Sequence, residues 1–165
     1  MAKKEIKTNA MRILEKEDIP FELHTYECDA FTSGVDVAKM QGVSPKIVYK
    51  TLVAVSKDKE HYVFIIPSDA EIDLKKAAKA VGVKALLMLP LKDLTKVTGY
   101  IRGGTTAIGM KKQFPTTIQE EACNLSSLYV SGGKPGTQIK LSPKDLARIS
   151  GAVFQDVIVK EEKTK

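Results

Sequence analysis

The 165-residue sequence predicts a single domain of mixed α/β class, with a curved, barrel-like mixed β-sheet surrounded by helices. Three observations predict it. Strand-like runs outnumber helical ones, most neighbouring runs are joined by short hairpin-like turns, and there is neither an internal repeat nor a regular βαβαβ alternation. A hydrophobic fraction of 43% and a charged fraction of 28% are ordinary for a soluble globular chain, and the length suits one core better than two. The domain is expected to occupy 1–165, with its core over about 8–159 and a frayed tail at 160–165.

Each element has a local reason. Thr8 or Asn9 caps a helix through Glu17, with Met11, Leu14 and Ile13 inward, and Ile19-Pro20 stops it. Phe21–Tyr26 (FELHTY) alternates apolar and polar side chains as a half-buried strand does. Ser33–Gln41 reads as a helix closed by Gly42, and Ser44-Pro45 as a short helical turn leading into a strand at Ile47–Val55. SKDKE (56–60) turns that strand back into a second, His61–Pro67. Asp73–Val81 is the best helix, with Asp73 at its start and Gly82 as its stop. Lys84–Met88 reads as a strand and Pro90–Val97 as a helix; residues 98–109 (TGYIRGGTTAIG) are a loop with four glycines. Short strands follow at Thr116–Gln119, Leu128–Ser131 and Gln138–Leu141, the last two flanking SGGKPG (131–136). Ser142-Pro143 opens a helix to Ile149, Gly151 ends it, and Val153–Val159 is a final strand.

Charge narrows the partners. The net +6 resides in residues 51–150, which carry 15 cations against nine anions, whereas 1–50 and 151–165 are each balanced. A basic middle permits a polyanion such as RNA without requiring one. No apolar stretch approaches the roughly 18 residues of a membrane span, and the N-terminus has cations but no apolar segment of signal-peptide type behind them. Cys28 and Cys123 stand alone, with no CxxC and no histidine at ligand spacing. A disulfide framework or structural zinc is therefore not expected, and a reducing cytoplasm is. No metal and no cofactor is called for.

Chemistry has few places to reside. There is no GxSxG and no P-loop, and GYIRGG does not open a helix of dinucleotide-binding type. His24 and His61 fall in separate strands and read as structural. Cys28, beside Asp29, lacks a cation to favour its thiolate. Asp69, Glu71 and Asp73 read as a helix-start cluster. Two features stand out. Lys50 lies inside IVYKTLVAV, where a lysine either snorkels to water or works in a partly dry site. The glycine-rich loops 98–109 and 131–136 are either simple turns or concave nests of N–H groups for an anion or oxyanion, with Arg102 and Lys134 adding charge. Together they sketch a site for an anionic or ester substrate around one ammonium.

Five segments in order, IPFELHTY (19–26), YKTLVA (49–54), SDAEIDLKKAAKAVG (68–82), TGYIRGG…IGMKK (98–112) and YVSGGKPG…LSPKDL (129–146), resemble the YbaK/EbsC proteins, free-standing relatives of the editing domain of bacterial prolyl-tRNA synthetases. The resemblance implies that fold and the hydrolysis of mischarged tRNA, chiefly cysteinyl-tRNA(Pro). Such an enzyme has a physical reason to exist. A proline pocket cannot firmly reject an amino acid of similar or smaller volume, since the difference is worth only about 1–3 kcal/mol. On this resemblance Lys50 is the catalytic residue, facing the terminal adenosine and the aminoacyl ester. Tyr26, Thr51, Gly103, Gly104 and Ser131 bind substrate, and Arg102, Lys111, Lys112 and Lys134 contact tRNA. The implied chemistry is substrate-assisted: the substrate's thiol or a ribose hydroxyl attacks the ester while the protein orients it. The aminoacylated CCA end of tRNA is the implied partner, with prolyl-tRNA synthetase as a second that the sequence leaves open.

The chain also departs from the family. Ala107 stands where many members have proline, and Pro135 where many have arginine, which bears on amino-acid preference and tRNA grip. Alanyl or broader specificity, a non-catalytic tRNA- or synthetase-binding module, and a lysine Schiff-base enzyme are the competing readings.

Overall fold

The structure is a computed structural model describing residues 7–27 and 33–160, so Cys28, Asp29 and 161–165 of the tail lie outside the described residues. Five helices are present among them: α1 (Asn9–Lys16), α2 (Gly34–Gln41), α3 (Leu74–Val81), α4 (Leu94–Thr98) and α5 (Pro143–Ser150). Eight strands accompany them: β1 (Glu22–Thr25), β2 (Tyr49–Ser56), β3 (His61–Pro67), β4 (Leu86–Met88), β5 (Thr116–Gln119), β6 (Leu128–Ser131), β7 (Thr137–Leu141) and β8 (Val153–Gln155). No helix among these residues is long and apolar enough to cross a membrane.

The caps explain the helices. Thr8, Ser33, Asp73 and Ser142 each accept a hydrogen bond from an N–H of the following first turn, and Ser33 with Asp36 completes a capping box. Gly42 and Gly82 end α2 and α3 in the left-handed conformation that a side chain disfavours.

The mixed α/β class holds, but the barrel-like sheet resolves into two. One is antiparallel, in the order β1-β7-β6; the other is mixed, in the order β4-β2-β3-β5-β8. An isolated parallel bridge, Val48↔Tyr129, joins them. Hairpins connect β2 to β3 and β6 to β7, whereas β3, β5 and β8 lie parallel, so crossovers are commoner than the turn signals suggest. Strand β3 is buried along six of its seven residues, as a strand covered on both faces should be. Val63 and Ile65 face the main core, shared with Val130 and Ile139 of the small sheet and Met11 and Leu14 of α1. Phe64 and Ile66 face a second core closed by Ala77 and Ala78 of α3.

Several boundaries differ from expectation, those of the strands where a partner ends. The last strand stops at Gln155; Val157 and Val159 instead bond along residues 71–73. The expected strand at 84–88 is paired only over Leu86–Met88 and the Pro90–Val97 helix begins as a 3-10 turn, whereas Ser44-Pro45 gives the short turn expected. A 3-10 turn at Glu120–Asn124 has no counterpart in the expectation.

Candidate active site

Lys50 lies opposite Ile66 in the β2–β3 ladder, half-buried, and its Nζ donates to the carbonyl oxygen of Ser68 at 3.3 Å. Ser68 follows the last residue of β3 and shares the Lys50 face, so the side chain reaches it diagonally along the sheet. The position of that carbonyl is fixed from three sides. The Ser68 N–H donates to Val48 O at 2.7 Å, its Oγ donates to Pro45 O at 3.0 Å, and its Cβ abuts α2. A Cβ built at Gly34 would stand 2.6 Å from the Ser68 Cβ, so α2 can lie here only because its first residue has no side chain. Burial pushes the Lys50 ammonium toward its neutral form, and the carboxylates of Glu71 and Asp69 pull partly against it, leaving its pKa below the ordinary lysine value.

Lys50 lines a cavity of about 290 Å³ at the junction of the two sheets. Thr51 lines it as well, although neighbouring residues of a strand face opposite ways. Both reach it because the cavity runs along the edge of β2 where β4 has not yet begun: β4 pairs with residues 54–56 only. The small sheet supplies Ser131 and Gln138, which are register partners, with Tyr26 just past the end of β1. Arg102 and Gly103 close one side, and Met88 and Leu91 form an apolar lip.

Of the residues singled out in the sequence, Lys50, Tyr26, Thr51, Gly103, Ser131 and Arg102 thus converge on one cavity. Gly104 is next to it with a different task. Its N–H is spent on Ile101 O at 2.9 Å, and a Cβ there would meet the Lys134 Cα at 2.6 Å and the Pro135 Cδ at 2.9 Å. It is the glycine that lets the two glycine-rich loops touch, with Pro135 packed into the seam. Lys134 lies in that seam, Lys112 is exposed, and the Lys111 ammonium is turned to Lys96 O at 3.3 Å. His24 pairs with Glu22 and Tyr129 while His61 packs on Phe114, so the histidines stay apart. Within the acidic cluster Asp73 alone caps α3; Asp69 pairs with Lys46 at 3.1 Å. Among the described residues no three of His, Cys, Asp and Glu gather as metal ligands.

Gln138 escaped the sequence reading. It is 6% exposed, lines the cavity, and its Oε1 is the one buried side-chain oxygen or nitrogen among the described residues without a hydrogen-bond partner. Such an acceptor is costly unless something else satisfies it. Ser68 and Gly34 escaped it too, since a serine after a strand and a glycine opening a helix are both locally unremarkable.

Comparison with known proteins places this geometry. The pattern described as the aminoacyl-tRNA editing domain matches residues 28–149. EbsC of Enterococcus faecalis, by its name a candidate Cys-tRNA(Pro)/Cys-tRNA(Cys) deacylase, is 44% identical over 164 residues, covering 98% of this chain and all of that one. Among solved structures, a candidate trans-editing enzyme for prolyl-tRNA synthetase superposes with TM-score 0.78 at 23% identity, over 94% of this chain and all of that one. A hypothetical protein, APE2540, gives 0.84 at 20% identity, over 92% and 99% of the two chains. At such identities the structural likeness speaks for the fold alone.

Proposed function

The chain belongs to the aminoacyl-tRNA editing domain family, and from that premise we propose that it is a free-standing deacylase of mischarged tRNA whose chief substrate is cysteinyl-tRNA(Pro). The observation that carries the reading is that the half-buried Lys50 lines the same cavity as Gln138, whose Oε1 is an unsatisfied acceptor. An aminoacyl ester offers a match for each. Its α-ammonium supplies the donor that Gln138 lacks, and Lys50 attracts the ester carbonyl or the neighbouring phosphate. Met88 and Leu91 are 40% and 57% exposed, a surface on which the terminal adenine can rest. Tyr26, Ser131 and Gly103 complete the wall, Gly104 holds the loops, and Arg102, Lys111, Lys112 and Lys134 grip the tRNA body.

No side-chain nucleophile of the protein is assigned a step. The substrate's own thiol attacks the ester carbonyl carbon: a carbon–sulfur bond forms, the bond to the ribose oxygen breaks, and that oxygen takes up the proton the thiol gives up. Water then opens the cyclic thioester to free cysteine. The protein contributes position and charge, which supply much of a barrier reduction of this kind. Function in the cytoplasm beside prolyl-tRNA synthetase belongs to the same proposal.

The test is release of amino acid from purified Cys-tRNA(Pro), with the tRNA recovered intact. Release that is abolished by Lys50→Ala in a folded protein supports the assignment. Binding of tRNA without release from any aminoacyl form would favour the non-catalytic module.

A further inference from the structure

The hydrogen-bonding sense of β2 can be read residue by residue. Val48 O accepts from Ser68 N, and Ser56 N donates to Glu60 O, so the even-numbered residues turn their main-chain groups toward β3. Val53 O accepts from Leu89 N and Ile47 O from Tyr129 N, so the odd-numbered residues turn theirs to the opposite side. On that side β6 meets the strand only at Val48, and the segment running into and through β4 only from Val53 onward. Between them is a gap in the sheet with no strand partner among the described residues, and Thr51 is the odd-numbered residue at its middle. The cavity lies at this gap, bordered by Thr51, Leu89 of the β4 side and Ser131 of the β6 side.

A gap one residue long admits a guest one residue long. We infer that the main chain of Thr51, rather than its side chain, docks the aminoacyl group of the substrate as a single-residue strand. The inference rests on the deacylase reading. At the hydrogen-bonded positions of an antiparallel pair, two opposite residues exchange both N–H···O=C bonds. An α-aminoacyl ester carries a donor and an acceptor on the two sides of one Cα, with the same spacing. Its ammonium donates to Thr51 O, and its ester carbonyl accepts from Thr51 N–H. Gln138 Oε1 remains as a second acceptor for the ammonium. The bound carbonyl then lies one residue from Lys50, and the amino-acid side chain leaves toward one face of the sheet. Recognition of this kind reads the α-amino ester common to all aminoacyl-tRNAs and leaves discrimination to the side chain's own chemistry.

The test replaces the amide joining residues 50 and 51 by an ester, introduced as the α-hydroxy analogue of threonine, which removes the Thr51 N–H and keeps the side chain. The probe is the amide-linked analogue 3′-deoxy-3′-(L-cysteinylamino)adenosine, with Cys-tRNA(Pro) as substrate. Affinity for the probe and kcat/KM should each fall about tenfold, the loss of one buried hydrogen bond. Tm should fall only slightly, because this N–H has no partner strand and only the Lys50 carbonyl, which faces β3, becomes a weaker acceptor. Thr51→Val, which keeps the donor, should lose less. The same ester at Val55, whose main chain faces Leu87 of β4, should lower Tm and leave probe affinity intact. Equal probe affinity in the residue-51 ester and the unmodified protein overturns the docking while leaving the deacylase reading in place. An unmodified protein that neither binds the probe nor releases amino acid overturns both.

Discussion

An ammonium half-withdrawn from water destabilises the fold that holds it, and Lys50 is in that position. Its pKa is lowered by burial, with Glu71 and Asp69 opposing. Between the folded value and 10.5 the unfolded chain binds more protons, so the contribution of this group to stability rises with pH through that window and is unfavourable below it. Lys50→Met should therefore fold with a Tm equal to or above that of the parent, while deacylation falls at least 100-fold. A large drop in Tm would mean that the side chain serves the core. Gln138 carries the complementary prediction. Its Oε1 has no partner to lose, so Gln138→Leu should leave Tm unchanged or raised and increase KM by roughly the five- to tenfold that one hydrogen bond is worth; unaltered KM would remove it from substrate binding. Lysine in a β-branched run is legible in a sequence because it violates the pattern around it. Gln138 is not, because TQIKL alternates as an ordinary half-exposed strand, and only the register with Ser131 shows that its polar face closes a cavity.

Helices were legible because their ends are local chemistry. Capping by Thr8, Ser33, Asp73 and Ser142 needs only side chains within a turn, and these residues announce it. Strands β4 and β8 are shorter than the sequence predicts because propensity continues where the partner stops: VFQDVIV is β-like to its end, but the Gln119 and Lys76 side chains hold Asp156 and turn the chain away. Close approaches between elements were not legible at all. Gly34→Ala makes this testable. In a free helix the change stabilises by about 1 kcal/mol, but here the new methyl would press on Ser68, whose carbonyl holds Lys50. Activity should fall several-fold, and Tm should fall as well, because the Ser68 Cβ is held in place and α2 must shift to admit the methyl. Full activity would show that the carbonyl's position is not critical. Gly104→Ala meets the Lys134 backbone and should cost about 1–3 kcal/mol in urea unfolding.

Across the whole molecule, the order of strands is what a single sequence conceals most. Pairing of β1 with β7, of β3 with β5, or of β5 with β8 joins distant segments and leaves no local mark, whereas the β2–β3 hairpin is announced by its turn. The terminal segment that replaces the expected long strand is fastened by one charge cluster. Burial pushes the Asp156 carboxyl up, but hydrogen bonds from Gln119 and Lys76 and the Lys160 ammonium outweigh it and bring its pKa to about 2. That stability is present above the unfolded value of 3.8 and is lost as pH falls toward 2. Thermal melts should show Tm dropping across this window, and Asp156→Asn should lower Tm at pH 7 and flatten the drop. An unchanged profile in the variant would assign the acid sensitivity elsewhere. The excess of cations in 51–150 predicts that tRNA affinity weakens with rising salt, whatever amino acid is attached.

The central claim is that this cavity positions an aminoacyl ester and lets the substrate's thiol do the chemistry. Single-turnover hydrolysis of Cys-tRNA(Pro) and Ala-tRNA(Pro) at saturating protein tests it most directly, because saturation removes differences in binding and leaves only the rate of ester cleavage. The cysteinyl form should be cleared rapidly and the alanyl form, with no thiol, should persist at close to its spontaneous rate. Equal rates for the two would contradict the thiol-assisted route and assign the attack to water or a ribose hydroxyl.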